Sequence, residues 1–276
     1  MTQSEPLIPA RPSVAIIGAG FGGLAAAHYL KQAGIDSFTI YEKADRLGGV
    51  WRENTYPGAA CDIPSHLYSY SFEQHYPWRS RFAGQPEILA YLHDVAERRG
   101  LLPHVRFNKA LRSAVFDETH GVWHLEFSDG ERTQANILVS AVGQLHRPAY
   151  PTIDGREQFR GRAFHSAHWD HTYDFAGKHV AVIGTGASAV QFVPVIARQV
   201  EKLYVLQRSP GWCIPKFERR FNRFERALLH YVPSVQTLDR WRIFWLVEFL
   251  GSAMVRRSFV ARVAGWYLRA TARLLM

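Results

Sequence analysis

The chain of 276 residues contains only two cysteines, Cys61 and Cys213, and has no CxxC pair. Two isolated cysteines cannot build a disulfide framework, so we expect a reducing compartment, the cytoplasm. The lack of a CxxC pair also argues against a dithiol redox centre of the kind that disulfide reductases use.

Long apolar runs, a secretion signal and low-complexity segments are also missing. The apolar stretch Trp241–Val255 is interrupted by Arg242 and Glu248 and is too short to span a bilayer. The N-terminal run MTQSEPLIPARPS has no cationic start followed by an apolar stretch, and we expect it to be a loose tail. No nucleic-acid-binding motif accompanies the formal net charge of +9, so nucleic acid is not an expected partner.

The positive charge is concentrated near the C-terminus. Between residues 221 and 276, nine arginines stand against three carboxylates. These arginines are interleaved with Trp, Phe and Leu at helical spacing, which predicts amphipathic helices. We expect such helices to pack on a core. The alternative is that they present a membrane-surface or partner-binding face.

Two distant segments resemble each other. VAIIGAGFGG begins at Val14 and VAVIGTGASA begins at Val180. Each is a short apolar run that turns at glycines and enters a helical pattern, and each is followed by a second strand-like run, at 35–41 and 202–207. The pattern predicts an α/β fold with two Rossmann-like dinucleotide-binding domains.

Between the two segments, the sequence predicts a helix at about 85–99 and strands at about 105–111 and 123–127, followed by a final strand that ends near Gly143. The predicted domains are a first dinucleotide-binding domain at 1–146, a proline-containing connector at 147–171, and a second dinucleotide-binding domain with a helical C-terminal segment at 172–276.

The first glycine turn is Gly18-x-Gly20-x-x-Gly23, between a strand and a helix. The first glycine permits a tight turn, the second permits a pyrophosphate to approach, and the third permits close helix–strand packing. Glu42 lies 24 residues after Gly18, at the end of the next strand, where a carboxylate binds two ribose hydroxyls. The alternative is a merely structural turn.

The second turn is Gly184-x-Gly186-x-x-Ala189, and its first helical turn contains Ser188. Arg208 lies 24 residues after Gly184, so a base stands where the first unit carries Glu42. An arginine pairs with a ribose 2′-phosphate and an acid repels it. We therefore predict a dinucleotide without that phosphate in the first unit and NADP(H) in the second. The alternative is that Arg208 is an ordinary solvated side chain.

Two further runs carry a family resemblance. GGVWRENTYPGAACD, residues 48–62, and FRGRAFHSAHWD, residues 159–170, resemble the signature and fingerprint of Baeyer–Villiger monooxygenases, and QRSPGW, residues 207–212, is similar to a third family run. The resemblance covers nearly the whole chain from Pro12 onward. The matching positions are Gly48, Gly49, Trp51, Tyr56, Pro57, Gly58 and Asp62 in the first run, and Phe159, Gly161, His165, Trp169 and Asp170 in the second.

The resemblance implies an FAD- and NADPH-dependent enzyme that converts ketones to esters or lactones with O2 through a flavin C4a-peroxide. It implies that Asp62 positions an arginine beside the flavin, and that His165 in the connector couples domain movement to cofactor handling. The resemblance further implies that Val50, Trp51, Tyr68 and Leu111 contact FAD. The alternatives are that Asp62 caps a turn, that Trp51 packs in the core, and that His165 has a structural role.

The chain resembles only the N-terminal part of the family's members. Family members are about twice as long, so it implies that the second domain is partial and that the catalytic arginine lies in a missing C-terminal half or a partner chain. Two other functions therefore stay open: a non-catalytic FAD- and NADP-binding fragment, and an amine- or sulfide-oxidising flavin monooxygenase. The spacing of His165, His168 and His171 has no acidic or cysteine partner, so no metal is expected.

Overall fold

The computed structural model describes residues 11–209 and 216–255, which divide into two compact units. Residues 11–55 and 88–170 form the first unit, and the described residues of 56–87 and 171–255 form the second. The segment 56–87, placed by the sequence prediction with the first domain, groups with the second unit. Cys213, the last three residues of the QRSPGW run and the predicted helical segment beyond 255 lie outside the described residues.

Each glycine turn lies in a strand–helix–strand segment, and a run of consecutive strands lies between the two segments. The strands are β1 (Val14–Ile17), β2 (Phe38–Tyr41), β3 (Val105–Arg106), β4 (Leu111–Asp117), β5 (Val122–Phe127), β6 (Arg132–Ala135), β7 (Ile137–Ser140), β8 (His179–Ile183) and β9 (Lys202–Leu206). The α-helices are α1 (Phe21–Gln32), α2 (Val50–Glu53), α3 (Gln85–Arg98), α4 (Ala187–Ile196), α5 (Arg223–Tyr231) and α6 (Pro233–Val255), and short 3-10 turns cover Leu102–His104, Arg156–Gln158 and Ser166–His168.

The first unit is built on a parallel sheet with strand order β3-β2-β1-β7. The central strand β1 pairs in parallel with β2 on one side and with β7 on the other. All four of its side chains are buried, as expected for an uninterrupted apolar run in a parallel sheet covered on both faces. Helix α1 connects β1 to β2, so the predicted βαβ unit is present.

An antiparallel sheet with strand order β4-β5-β6 packs against the parallel one. The shared core contains Ile17 and Tyr41 from the parallel sheet and Leu125 and Phe127 from β5. The rings of Tyr41 and Phe127 lie 4.6 Å apart between centroids. Burial of these side chains joins the two sheets into one hydrophobic core.

The predicted single strand at about 105–111 is wrong, because β3 ends at Arg106 and β4, which belongs to the other sheet, begins at Leu111. Asn108 adopts φ +57°, a left-handed conformation that asparagine tolerates better than most residues. Its N–H donates to the Ala44 carbonyl at 2.9 Å, and the next N–H, of Lys109, donates to the Glu42 carbonyl at 2.8 Å. These bonds turn the chain out of the parallel sheet before β4 begins.

Helix α3 matches its prediction closely. Its buried side chains include Ile88, Tyr91, Leu92 and Val95, the spacing of one helical face. In the second unit, β8 and β9 pair in parallel with α4 between them, which forms the second predicted βαβ unit. The predicted α/β class with two Rossmann-like units is therefore confirmed.

The amphipathic prediction for the C-terminal helices holds for α5 and is wrong for α6. Helix α5 begins with a capping box in which Asn222 and Glu225 exchange hydrogen bonds. In α6, the consecutive side chains Phe244 to Val247 are all exposed and apolar, and four consecutive helical positions point to different sides. Among the described residues, no helix combines the length and apolar character needed to cross a membrane.

Candidate functional site

The first glycine turn is closed by backbone packing. Gly18 follows β1 with φ +106°, which L side chains rarely adopt, and a Cβ there would lie 2.6 Å from the Ala141 carbonyl oxygen. A Cβ on Gly23 would overlap the carbonyl oxygen of Gly18. The first glycine is therefore required by its backbone conformation and by the chain that follows β7, and the third by the close approach of α1 to the turn.

Gly20, the second glycine, is not required by packing within the protein. It has an ordinary φ of −91°, and a Cβ on it would meet the Gly49 Cα at 3.6 Å, a normal van der Waals contact. Within the described residues, no side chain caps α1 and no acidic residue stands in its first turn. A helix N-terminus of this kind favours an anion, because its N–H groups and dipole are positive.

Glu42 lies beside this turn, because β1 and β2 pair at their carboxyl ends. Ile17 is the register partner of Tyr41, so Gly18 and Glu42 follow two adjacent strand ends. The Glu42 side chain is buried, and its Oε2 accepts a hydrogen bond of 2.8 Å from the Ala19 N–H. Its Oε1 accepts from the Ala44 N–H at 3.0 Å. The carboxylate is thus held at the turn, with lone pairs left for a further donor.

Arg52 pairs with Glu42 and was missed by the sequence analysis. Its Nη1 lies 3.1 Å from Glu42 Oε1, and the two side chains are 9% and 4% exposed. The guanidinium also donates to the Arg46 carbonyl and to Glu53, which in turn pairs with Lys43. The arginine compensates a carboxylate that would otherwise be buried without a cation. Only the fold brings these residues together, although Arg52 lies directly after Trp51 in the signature run.

The other residues predicted to contact FAD fall in both units. Val50 and Trp51 open α2, directly after Gly48 and Gly49, and both are half-buried. Leu111 begins β4 and packs on the core between the two sheets. The structure therefore gives Leu111 a packing role, and its contact with adenine stays a prediction.

Asp62 and Tyr68 lie in the second unit. The exposed Asp62 carboxylate accepts from Gln191 Nε2 at 3.0 Å and from Lys216 Nζ at 3.2 Å, both on its Oδ1. Neither partner was predicted from the sequence. The neighbouring Cys61 is buried, and burial raises the pKa of its thiol to about 11, so it is not a nucleophile at neutral pH.

Helix α6 anchors the segment that carries Tyr68. Arg240 Nη1 donates to the carbonyls of His66, Leu67 and Ser69 at 3.0 to 3.1 Å. His66 Nδ1 lies 2.8 Å from Asp239 Oδ2. Burial raises the pKa of Asp239, but hydrogen bonds from His66 and Arg242 outweigh burial and lower it to about 2. No local sequence pattern indicates this anchor.

The second glycine turn is open. Gly184 has φ +102° and its N–H donates to the Leu206 carbonyl at 2.9 Å, while Gly186 precedes α4. A Cβ on either glycine would meet no described atom within 4 Å. Ser188 lies in the first turn of α4, and Arg208 is exposed just after β9. Ile183 is the register partner of Leu206, so Arg208 follows the paired strand ends by one residue more than Glu42 does in the first unit. Its pairing with a nucleotide stays a prediction.

His165 caps a short turn. Its Nδ1 accepts from the Ala167 N–H at 3.1 Å, and burial, followed by the nearby His168, lowers its pKa. A neutral imidazole with an accepting Nδ1 carries its proton on Nε2. Close by, Arg162 pairs with Asp170 at 2.6 Å. These contacts give His165 a structural role in the connector, and its predicted coupling role stays a prediction.

The histidine triplet of the connector does not form a metal cluster. His165 and His168 belong to the first unit and His171 to the second. Across residues 11–209 and 216–255, no group of three or more His, Cys, Asp or Glu side chains is arranged to hold a metal ion.

Comparisons with known proteins agree with the predicted resemblance. A Baeyer–Villiger monooxygenase of Pseudomonas aeruginosa is 47% identical over 247 residues, which cover 90% of this chain and 47% of that protein. The solved structure of an oxidized steroid monooxygenase bound to NADP superimposes with TM-score 0.73 at 41% identity, over 80% of this chain and 43% of that one. The OTEMO complex with FAD and NADP gives TM-score 0.75 at 33% identity, over 88% and 45%.

These matches show which family the chain belongs to and how much of its relatives' length it spans. The chain spans about half the length of the curated relatives it matches. The model of the flavin-binding monooxygenase-like family matches residues 11–229, which is most of the chain. The chain therefore belongs to the flavin-binding monooxygenase-like family.

Proposed function

We propose that the chain binds FAD at the first glycine turn and NADP(H) at the second, as the N-terminal part of a Baeyer–Villiger monooxygenase. One observation carries the proposal. Opposite charges follow the two strands that pair with the strands of the glycine turns, Glu42 directly after β2 and Arg208 two residues after β9. Two different dinucleotides on one chain are what hydride transfer between cofactors requires.

The first unit fits the adenosine and pyrophosphate parts of FAD. The N-terminal turn of α1 offers backbone N–H groups to the pyrophosphate, and Gly20 leaves its approach open. Glu42 would accept from the ribose hydroxyls, and Arg52 holds its carboxylate in place. The OTEMO structure, similar over most of this chain, contains FAD and NADP, which supports the assignment.

The second unit fits NADP(H). Gly184 and Gly186, just before α4, have no described atom within 4 Å of where a Cβ would stand, and Ser188 supplies a hydroxyl in the first turn of the helix. Arg208 would pair with the ribose 2′-phosphate, an interaction that NADH cannot offer. The related steroid monooxygenase structure contains NADP.

Bound flavin supplies the two-electron and oxygen chemistry, and the chain's residues supply binding and charge. The overall reaction consumes ketone, O2, NADPH and a proton, and yields an ester or lactone, NADP⁺ and water. Asp62 would orient a cation near the reacting atoms, and in this chain it already holds Lys216. We further propose that a C-terminal half or partner chain completes the active site, and that the protein acts in the cytoplasm.

The first experiment is an anaerobic absorbance titration of the FAD-loaded chain with NADPH. Bleaching of the flavin band is expected if both dinucleotide sites are assembled. Retained but unbleached flavin would favour a non-catalytic binding fragment. A substrate panel on the completed enzyme would then separate the chemistries, because turnover of sulfides or amines without any ketone turnover would exclude the Baeyer–Villiger assignment.

A pair of glycine variants tests the FAD site itself. Gly20→Ala adds a methyl group where no protein atom clashes, so stability should not fall, while FAD affinity should drop roughly tenfold or more. Gly22→Ala is the matched control, because its Cβ also meets only an ordinary contact, with Ala141 at 3.7 Å. Equal FAD affinity in the two variants would contradict the placement of the pyrophosphate.

A further inference from the structure

Gln191 on α4 hydrogen-bonds through both its amide oxygen and its amide nitrogen to the signature loop, residues 56–62 of the run 48–62. Its Oε1 accepts from Tyr56 Oη at 3.0 Å and from the Ala60 N–H at 3.2 Å. Its Nε2 donates to the Ala60 carbonyl at 2.9 Å and to Asp62 Oδ1 at 3.0 Å. A glutamine amide has two donors and two acceptor lone pairs, so all four positions are occupied. A fully satisfied amide fixes both the loop and its own orientation.

The loop is shaped to receive this helix. Gly58 has φ +81°, and a Cβ there would lie 2.7 Å from the Gln191 carbonyl oxygen. The Tyr56 ring lies 6.0 Å from the Phe192 ring in an edge-to-face arrangement. Tyr56, Gly58 and Asp62, three of the signature positions, therefore all contact α4. The signature run is in this respect a docking surface for one helix.

The same helix begins at the second glycine turn. Gln191 lies one turn after Ser188, on a helix whose N-terminal end is the proposed NADP(H) pyrophosphate site. The helix connects that end of α4 to Gln191, and the Gln191 Nε2 hydrogen bond connects Gln191 to Asp62. All of these residues belong to the second unit.

We infer that Gln191 is a positioning residue that couples occupancy of the second dinucleotide site to the position of the loop carrying Asp62. The inference deepens the proposed function and rests on it, because the nucleotide that it couples is NADP(H). The loop uses all four hydrogen-bonding positions of the Gln191 amide, so replacing Gln191 should affect the loop far more than it affects nucleotide affinity.

The test is amide hydrogen exchange measured residue by residue on the whole chain, with and without NADP⁺. The Ala60 N–H reports the Gln191 bond, and the Cys61 N–H, which donates to the Ala83 carbonyl, is the internal reference. Without nucleotide, Gln191→Ala should accelerate Ala60 exchange roughly tenfold relative to Cys61 exchange. Gln199→Ala, at an exposed glutamine just beyond α4, should leave both unchanged.

Adding saturating NADP⁺ tests the coupling. In the unaltered chain, Ala60 exchange should slow severalfold, and in Gln191→Ala this response should be lost while the Kd for NADP⁺ changes by less than about threefold. Gln191→Glu keeps the side-chain size and the acceptor oxygen, but it places a carboxylate against the Ala60 carbonyl and Asp62. It should therefore also lose the response, and it serves as the second variant if Gln191→Ala does not fold.

Three results would overturn the inference. Unchanged Ala60 exchange in both Gln191 variants would remove the positioning role. NADP⁺ binding with no change at Ala60 in the unaltered chain would remove the coupling and leave the proposed function intact. Failure of the unaltered chain to bind NADP⁺ would remove the coupling together with the second cofactor site. The Ala60 exchange rates measured without nucleotide would then still test whether Gln191 positions the loop.

Discussion

The two glycine turns have nearly the same sequence and very different surroundings. Around the first, a Cβ on Gly18 or Gly23 would collide with backbone carbonyls, whereas around the second, a Cβ on Gly184 or Gly186 meets no described atom within 4 Å. The first turn is thus held by backbone packing. In the second unit, side-chain hydrogen bonds such as those of Gln191 hold the neighbouring loop. Both turns share one backbone hydrogen bond, from the Gly18 N–H to the Tyr41 carbonyl and from the Gly184 N–H to the Leu206 carbonyl, and they differ in how closely other backbone atoms approach them.

The largest expected effect is at the third motif position. Gly23→Ala should destabilise the first unit by about 3 kcal/mol or more, because its Cβ would overlap the Gly18 carbonyl oxygen. The second unit carries Ala189 at the equivalent position without strain. The free energy of unfolding is measured with denaturant, and Ala189→Gly is the reverse control in the second unit. Equal losses of stability in the two variants would contradict the difference in packing between the two turns.

Cofactor choice is the next test of the comparison. Arg208→Glu should weaken NADPH binding roughly thirtyfold, about 2 kcal/mol, and leave NADH binding nearly unchanged, because the charge-assisted bond to the 2′-phosphate is replaced by repulsion. Arg198→Glu, at an exposed arginine elsewhere in the unit, controls for net charge. Equal losses in the two variants would show that Arg208 acts only through net charge.

A smaller effect is expected at the first glycine of each turn, where alanine variants separate backbone strain from packing. Gly18 and Gly184 have φ values of +106° and +102°, so alanine is strained at both, by about 1 kcal/mol. Only Gly18→Ala adds a contact of 2.6 Å with the Ala141 carbonyl oxygen. We expect Gly184→Ala to lower the free energy of unfolding by about 1 kcal/mol and Gly18→Ala to lower it distinctly more. A smaller loss at Gly18 would contradict the packing argument.

The smallest effect concerns pH and the polar anchoring of the second unit. The folded-state pKa of Asp239 is about 2, below its ordinary value of 3.8, so its stabilising contribution is complete above pH 3.8 and is lost as pH falls towards 2. After allowance for solvent screening at this half-buried group, the loss should be about 1 kcal/mol. Asp239→Asn should abolish this part of the acid sensitivity in urea unfolding between pH 4 and 2, and an unchanged acid profile would contradict the role of the anchor.

Much of the fold followed from periodicity and glycine placement. Both βαβ units, helix α3 and strand β5 were predicted, because buried parallel strands and one-sided helices leave local patterns. The split of residues 105–111 into two strands was not predicted, because it depends on hydrogen bonds from Asn108 and Lys109 to a distant segment. The apolar surface of α6 was also mistaken for one face of an amphipathic helix.

The sequence by itself determined the two dinucleotide motifs, the opposite charges at Glu42 and Arg208, and the family signature, because each depends on short-range spacing. Only the tertiary structure decided the partners of these residues. Arg52 reaches Glu42 across a turn, Gln191 reaches Asp62 over 129 positions, and Asp239 reaches His66 over 173. Such pairs form where folding brings remote segments within about 3 Å, a distance that no local pattern encodes.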